Sequence, residues 1–237
     1  MALDVKPLYA QVREILRERI RSGALKPGSA LPNEFALAHE LGVSQGTVRK
    51  ALDALTAEQL LVRSPGRGTF VRAQTAADVL FRFFHIYNAQ GVRILPDSRD
   101  VVVTRARASA AEAERLRLPR TASVIRIHRL RTRDDRPFML ETISIPADLF
   151  PDLDRVDPLP NTLYDFFQRA YGITVARAEE RLTADAADAT AAEALGVMAG
   201  APLLCIDRTT FALDDRPIEW RVSRCHIGDG YYLARVG

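Results

Sequence analysis

The sequence predicts an α+β protein with an N-terminal winged helix-turn-helix and a C-terminal antiparallel sheet covered by helices. Three observations support this prediction. Residues 31–52 have the pattern of two short helices joined by a tight turn, and residues 60–72 have that of a β-hairpin. A helix, strand, turn, strand pattern then occurs twice after residue 108. The length of 237 residues also exceeds a typical single domain of roughly 150 residues.

The first predicted helix is amphipathic and ends near Gly23, and Pro27-Gly28 forms the turn that follows. Its apolar residues recur three and four positions apart, which is the spacing of one helix face: Leu8, Val12, Ile15, Leu16 and Ile20. We expect this face to pack beneath the next two helices.

The helix-turn-helix segment carries cap residues at the expected places. Asn33 can cap the second helix, Gly42 lies where a left-handed residue ends it, and Ser44 can cap the third helix. The apolar stripe of the third helix places five residues on the opposite, exposed face. The stripe is Val48, Leu52 and Leu55, and the exposed residues are Gln45, Gly46, Arg49, Lys50 and Asp53.

A short hairpin follows the third helix. Residues 60–63 and 69–72 read as its strands, and 65–68 read as its turn. Arg67 lies between two glycines, which lets the backbone and the guanidinium approach a phosphate or a minor groove closely. Three helices and a hairpin together predict a winged helix-turn-helix.

Charge is distributed unevenly, which suits a DNA partner for the N-terminal part. Residues 1–74 contain 11 basic and 7 acidic side chains, whereas the remainder contains 22 and 23. Gln45 and Arg49 are candidates to reach base edges in a major groove. The other candidate DNA-binding residues suit phosphate or backbone contacts: Asn33, Ser44, Thr47, Lys50, Arg63, Arg67 and Gly68. As alternatives, Arg49 and Lys50 form only a solvated face, and Thr47 is structural.

The domain boundaries follow from composition and periodicity. We expect a DNA-binding domain at 1–72, a linker at 73–78 and a second domain at 79–237. In the second domain the predicted strands are 101–106, 124–133, 137–145 and 173–183, and the predicted helices are 108–118 and 163–171.

The second domain contains an internal repeat. Residues 114–129 align without gaps on residues 193–208, and each copy is followed by a strand and the identical turn Asp-Asp-Arg-Pro. Two copies are too few for a solenoid. We expect their hairpins to join one antiparallel sheet, with helices on a face and a pocket between the halves.

Composition excludes several classes of protein. Cys205 and Cys225 lack the spacing of a zinc site, and the four histidines form no ligand pair, so we expect reduced thiols and no metal or cofactor. No apolar run approaches the ~20 residues that a membrane helix needs, and the first 20 residues lack the continuous apolar core of a signal peptide. We therefore expect a cytoplasmic protein.

The motifs resemble those of a known family. Residues 7–71, from PLYAQ to GTFV, resemble the DNA-binding part of GntR-type bacterial repressors. Residues 79–237 resemble the UTRA effector domain of the HutC-type subfamily, which is similar in fold to chorismate lyase. The landmarks are VIRIHRLR, the two DDRP turns, NTLYDFFQRAYG, APLLCIDR and GDGYYL. Phe35 and Gln45 depart from the basic residues usual in the family, and Gln45 suits adenine.

The second domain offers a candidate effector site. Arg129 and Arg131 alternate on one strand, so both side chains lie on one sheet face and can form a fork for a carboxylate or phosphate. The alternative is an outer face paired with Glu141 across the hairpin, and the resemblance favours the ligand role. The remaining candidates are polar or aromatic residues that can contact the ligand: Glu141, Thr162, Tyr164, Glu219, Tyr231 and Phe83.

The resemblance implies a repressor that binds a pseudo-palindromic operator as a homodimer. It also implies that a small, anionic effector releases or modulates the repressor by preferring one arrangement of the DNA-binding parts. The competing hypothesis is a chorismate-lyase-like enzyme with an accessory DNA-binding part. Against it, the sequence shows no clear nucleophile, metal set or acid–base pair.

Overall fold

The computed structural model describes residues 6–73 and 83–234. The predicted linker from residue 74 onward, and the predicted start of the second domain at Val79, lie outside the described residues. Within the described ranges, no helix is long and apolar enough to cross a membrane.

Residues 8–71, called the N-terminal unit below, form the predicted winged helix-turn-helix. Three helices are followed by a two-stranded antiparallel hairpin in which Leu61 pairs with Val71 and Ser64 with Gly68. The elements are α1 (Leu8–Arg21), α2 (Glu34–Leu41), α3 (Gln45–Ala57), β1 (Leu61–Ser64) and β2 (Gly68–Val71).

The predicted caps of the helix-turn-helix are confirmed. Asn33 Oδ1 accepts a hydrogen bond from the backbone N–H of Ala36 at 2.8 Å, and Ser44 Oγ accepts one from that of Thr47 at 3.1 Å. Gly42 ends α2 with φ = 65°, a left-handed conformation that costs glycine little. These local interactions set the angle between α2 and α3.

The core of the N-terminal unit forms where α1 crosses α3. The predicted stripe of α3 is buried, but the predicted face of α1 is too wide: Leu8 is 58% exposed and Ile15 is 41% exposed. Buried residues of α1 recur every four positions; Leu8 continues this series but is the first residue of the helix, whereas Ile15 lies about 100° around the helix from Leu16. The buried residues of these two helices are Val12, Leu16, Ile20, Val48, Ala51, Leu52 and Leu55.

Residues 83–234, called the C-terminal unit below, contain a six-stranded antiparallel sheet in the order β4-β5-β6-β9-β8-β7. A small two-stranded sheet joins β3 and β10. The strands are β3 (Ile86–Tyr87), β4 (Asp97–Arg107), β5 (Ser123–Arg133), β6 (Arg136–Pro146), β7 (Val175–Ala186), β8 (Pro202–Ala212), β9 (Pro217–Cys225) and β10 (Tyr231–Tyr232). The helices are α4 (Ala110–Arg115), α5 (Leu163–Tyr171) and α6 (Ala189–Leu195), with a 3₁₀ turn at Leu153–Arg155.

The predicted repeat is confirmed and is longer than the sequence pattern indicated. Each copy begins with a strand of its own, so the units are β4-α4-β5-β6 and β7-α6-β8-β9. β6 and β9 pair at the centre of the sheet, and β4 and β7 form its edges. β4 starts four residues before the predicted strand. The sequence pattern missed these residues because they are polar and precede a register shift between Arg99 and Val102, which interrupts the alternation of side chains.

The two faces of the sheet have different coverings. Odd-numbered residues of β5, such as Ile125 and Ile127, face α5 and pack with Phe150 and Phe167 in the largest apolar cluster. Even-numbered Leu130 packs against residues of α6 on the other face. Because successive side chains alternate, the face that holds Ile125 and Ile127 continues with Arg129 and Arg131.

A buried carboxylate fastens α4 to the sheet. Glu112 accepts two hydrogen bonds from Arg126 at 2.7 Å, one from Ser144 Oγ at 2.7 Å and one from the backbone N–H of Ser109 at 2.7 Å. Hydrogen bonding from Arg126, which outweighs the effect of burial, lowers the pKa of Glu112 from 4.5 to about 2.

We expect Glu112→Gln to lower the free energy of unfolding at pH 7 by about 2–3 kcal/mol. The folded-state pKa of Glu112 is depressed, so its stabilising effect is present above pH 4.5 and is lost as the pH falls toward 2. Denaturant unfolding between pH 7 and 2 should therefore show that the free energy of unfolding decreases less on acidification in the variant than in the unmodified protein. Glu114→Gln is the control, because Glu114 is exposed. If the free energy of unfolding fell equally with pH in the unmodified protein and in both variants, the stabilising role of Glu112 would be contradicted.

Candidate functional site

The exposed face of α3 is as the sequence predicts. Gln45, Gly46, Arg49, Lys50 and Asp53 are all exposed, while the apolar stripe lies beneath them. A helix of 13 residues with a polar, partly basic outer face can enter a major groove.

Acidic residues form ion pairs with two arginines, one on the outer face of α3 and one on strand β1. Arg49 Nη2 lies 2.8 Å from Glu34 Oε2, and Arg63 Nη2 lies 2.8 Å from Asp53 Oδ1 and 3.6 Å from Glu34 Oε1. The hydrogen bond from Arg49 lowers the pKa of Glu34. The start of α2, the outer face of α3 and strand β1 are thereby brought to one surface.

The remaining predicted DNA-binding residues lie around this surface. Ser44 and Thr47 share a hydrogen bond between their hydroxyls at 2.9 Å, and Lys50 Nζ lies 4.2 Å from the centre of the Tyr9 ring. Arg67 and Gly68 are exposed at the tip of the hairpin, where Gly68 has φ = 110°. Asn33 uses its side-chain oxygen as the cap of α2.

A second candidate site lies in the C-terminal unit, where the odd face of β5 changes from apolar to charged. It is a small, partly enclosed cavity. The start of α5 forms one wall and the sheet forms another. Its lining consists of Phe83, Phe84, Arg129, Arg131, Asn161, Thr162, Leu163, Tyr164, Arg208 and Arg221.

Glu141 is the centre of the charge cluster behind this cavity. Arg129 Nε lies 2.6 Å from Glu141 Oε2, Arg221 Nη1 lies 3.2 Å from Glu141 Oε1, and Arg131 Nε lies 3.7 Å from Glu141 Oε2. Burial acts to raise the pKa of Glu141, but the three guanidiniums outweigh it and hold the pKa well below 4.5. Glu141 is therefore ionised.

The positive charges of Arg208 and Arg221 are balanced by neighbouring carboxylates. Arg221 makes two hydrogen bonds to Glu219, at 2.8 and 3.1 Å, and Arg208 Nε lies 2.5 Å from Glu180 Oε1. Burial acts to lower the pKa of Arg221, but Glu219 and Glu141 raise it well above the ordinary value.

The positive charges of Arg129 and Arg131 are balanced less fully, because both arginines share the carboxylate of Glu141. Burial lowers the pKa of both, and that of Arg131 falls to about 9. Arg131 donates to Asn161 Oδ1 at 2.6 Å, to Ser98 Oγ and to the Pro96 carbonyl at 3.2 Å, which are neutral acceptors. Its Nε has no hydrogen-bond partner among the described residues. An added anion would be favourable beside these two side chains.

Tyr164 connects α5 with the second repeat. Its hydroxyl donates to Glu219 Oε1 at 2.7 Å and lies 3.0 Å from Thr210 Oγ1. The ring packs edge-on against Phe83, with 5.0 Å between the ring centres. The side chain is buried, and burial raises its pKa. Tyr164 is therefore a neutral donor.

Most of the predicted effector-site residues are brought together. Arg129, Arg131, Thr162, Tyr164 and Phe83 line the cavity, and two more lie directly behind the lining arginines: Glu141 and Glu219.

Tyr231 does not line the cavity. It stacks on Tyr87 with 5.7 Å between ring centres, while its neighbour Tyr232 hydrogen-bonds to Glu180. Adjacent side chains of a strand point in opposite directions, and the sequence did not show which of the two tyrosines faces inward.

Sequence reasoning missed Arg208, Arg221, Asn161 and Ser98. The internal repeat could have indicated Arg208, because the gap-free alignment of residues 114–129 on 193–208 ends by matching Arg129 with Arg208. Applying the same repeat through the Asp-rich turns matches Glu141 with Arg221. Ser98 and Asn161 lie far apart in sequence and carry no comparable signal.

A winged helix-turn-helix with a basic reading face, joined to a unit with a charged cavity, defines the class of DNA-binding transcriptional regulators with an effector domain. Residues 8–71 match the bacterial regulatory proteins of the gntR family, and residues 91–229 match the UTRA domain. The chain belongs to the GntR family and is a HutC-type regulator.

Similar proteins agree with this placement. The chain is 33% identical over 228 residues to the HTH-type transcriptional repressor NagR of Bacillus subtilis (strain 168), covering 95% of this chain and 92% of that protein. It is 33% identical to the mannosyl-D-glycerate transport/metabolism system repressor MngR of Escherichia coli (strain K12), covering 75% and 74%. The ligand-binding domain of a GntR-family regulator from Bordetella bronchiseptica superimposes with a TM-score of 0.60 at 28% identity, covering 66% of this chain and 98% of that one.

Proposed function

We propose that this regulator is a cytoplasmic repressor that binds a pseudo-palindromic operator as a homodimer and is released by a small anionic effector. The observation that carries the effector part is the pair of incompletely compensated, buried arginines, Arg129 and Arg131, in the wall of a cavity. The reading face of α3 supports the operator part.

In the DNA complex, Gln45 and Arg49 contact base edges. Both are exposed near the start of α3, which is the end of a recognition helix that approaches the bases. The remaining residues position the protein on the backbone, with the hairpin tip entering beside the helix. They are Asn33, Ser44, Thr47, Lys50, Arg63, Arg67 and Gly68.

DNA has to displace Glu34 from Arg49, because the ion pair occupies the guanidinium that reads a base. Such an exposed ion pair is screened by solvent and stabilises the protein little, so its exchange for a base contact costs little. The carboxylate also repels phosphates from a misplaced helix. Glu34 thus favours the register in which Arg49 reaches its base.

The effector presents an anionic group to Arg129 and Arg131. Thr162 and the backbone N–H groups at the start of α5 lie on the same wall and can donate to the same oxygens. Glu219, reached through Tyr164, serves the polar end of the ligand. MngR is named for a system that handles mannosyl-D-glycerate, a sugar carboxylate, and a sugar-derived carboxylate or phosphate fits this donor set.

Release follows from linkage: an effector that binds one arrangement of the two units more tightly shifts the population toward it. A dimer presents two α3 helices to half-sites about 34 Å apart, so a change of unit orientation in either chain spoils the match to the operator.

We also propose that the chain is not an enzyme of the chorismate-lyase type. Glu141 and Glu219 are both held in ion pairs with Arg221, which lines the cavity, and are poorly placed for proton transfer. Incubation with chorismate should release no pyruvate in a coupled lactate dehydrogenase assay. Turnover that Arg131→Ala abolishes would overturn this proposal.

Arg49→Ala should weaken binding to an operator duplex, selected in vitro, by about 1–3 kcal/mol relative to random DNA, because a bidentate contact to guanine is lost. Fluorescence anisotropy measures the affinity, and analytical ultracentrifugation should find two chains per duplex. Arg155→Ala, an exposed arginine of the C-terminal unit, is the control. Equal affinity of the two variants would contradict the base-reading role.

Arg131→Ala should weaken the binding of a sugar phosphate such as glucose 6-phosphate at least tenfold, since a charge-assisted hydrogen bond contributes about 1.5–3 kcal/mol. Isothermal titration calorimetry with glucose 6-phosphate, inorganic phosphate and glucose measures the effect. Arg133→Ala is the control, since Arg133 is half-buried and lies two residues along the same strand. Glucose binding as tightly as its phosphate would argue against an anion site.

A further inference from the structure

The two Asp-Asp-Arg-Pro turns have identical sequences but different surroundings. One joins β5 to β6 and the other joins β8 to β9. The residue that precedes the first turn is Arg133, whose side chain is 41% exposed. The residue at the matching position of the second turn is Leu213, which is 4% exposed.

Leu213 is buried because it packs against the N-terminal unit. It belongs to the same apolar cluster as Leu60, Leu55 and Leu16, and Ala176 lies at the edge of that cluster. A leucine at the tip of a hairpin would otherwise be exposed to water, so this contact is favourable only while the two units are together.

Charged groups surround this apolar contact. Asp215 accepts a hydrogen bond from Arg177 Nε at 2.8 Å, and this bond lowers the pKa of Asp215, with smaller contributions from Arg117 and from Arg17 on α1. The pKa of Arg21 on α1 is raised mainly by its hydrogen bond to Glu18, and the charge of Asp214 adds to this effect. The second turn thus presents a leucine, followed by two carboxylates, to an apolar patch beside a basic helix.

The contact borders a cleft that is open to solvent. A cleft of about 1080 Å³, including the part open to solvent, lies beside it between α1, the end of α3 and the second turn. Its polar lining includes Glu14, Arg17 and Glu58. The apolar contact of Leu213 is therefore bordered on this side by charged, partly exposed side chains.

The same hairpin reaches the charged cavity. Thr210 on β8 and Glu219 on β9 are directly paired, and the Tyr164 hydroxyl contacts both. Leu213 follows Thr210 by three residues, a distance of roughly 10 Å along an extended chain. A shift of the Thr210–Glu219 pair therefore reaches Leu213 through one continuous hairpin.

We propose that the second Asp-rich turn is the docking surface for the N-terminal unit of the same chain, and that it transmits the state of the cavity to the orientation of α3. Leu213 holds the N-terminal unit in one orientation, and movement at Tyr164, Thr210 and Glu219 changes that orientation. The regulatory meaning of this coupling rests on the proposed function, but the orientation itself does not.

The orientation is tested by a spin-label distance in the absence of DNA and ligand. Labels at His39→Cys and Met198→Cys, both exposed, are measured by pulsed electron resonance in a Cys205→Ser background. Labelled chain is diluted with excess unlabelled chain so that only distances within one chain contribute. Leu213→Asp should shift or broaden the distance distribution, and Arg133→Asp at the matching turn should leave it unchanged.

Unchanged distances in Leu213→Asp, or equal broadening in Arg133→Asp, would overturn the docking role. Circular dichroism and thermal unfolding check that both variants fold, and Leu213→Ala supplies a milder change should the aspartate unfold the chain. Because no DNA is present, a failure of operator binding would not affect this result.

Transmission is tested by combining Leu213→Asp with Tyr164→Phe, which removes the hydroxyl shared by Thr210 and Glu219. Tyr164→Phe should alter the label distance when Leu213 is present and have no further effect in the Leu213→Asp background. No effect in the first background, or the same effect in both, would show that the cavity does not act through this turn.

Discussion

The C-terminal unit depends on the ionised carboxylate of Glu141, which is buried among guanidiniums from both repeats. A buried charge is tolerated only when its partners are complete, because each ion has lost its hydration. Arg129 and Arg131 come from the first repeat and Arg221 comes from the second, so the cluster is complete only when β6 and β9 pair at the centre of the sheet. The charge cluster therefore links the correct assembly of the two halves to the formation of the cavity.

The position of the cavity follows from a change of side-chain chemistry along a single sheet face. Ile125 and Ile127 pack beneath α5, whereas Arg129 and Arg131, one and two steps further along, cannot be covered by an apolar helix. The start of α5 instead supplies Thr162 and free backbone donors at this point. The same constraint that ends the apolar core thus creates a polar pocket in which further negative charge is favourable.

Sequence reasoning succeeded where neighbours in the chain decide the structure. The caps at Asn33 and Ser44, the left-handed Gly42 and the exposed face of α3 all follow from local spacing, and the repeat predicted one antiparallel sheet. The position of Tyr231 could not be predicted in the same way, because it depends on how a two-residue strand pairs with β3. The exposure of Leu8 and Ile15 likewise depends on the width of the contact between α1 and α3, which helical periodicity alone does not set.

The duplication also explains why the site is built from unlike residues. Glu141 and Arg221 occupy matching positions of the two repeats, and they form an ion pair with each other across the centre of the sheet. Two glutamates at these positions would repel at close range, and two arginines would leave the cluster without its central anion. Opposite charges satisfy both positions and make the two halves of the pocket chemically different. The two-fold repeated sheet therefore carries a cavity whose two sides differ in charge, with Arg129 and Arg131 on one side and Tyr164, backed by Glu219, on the other.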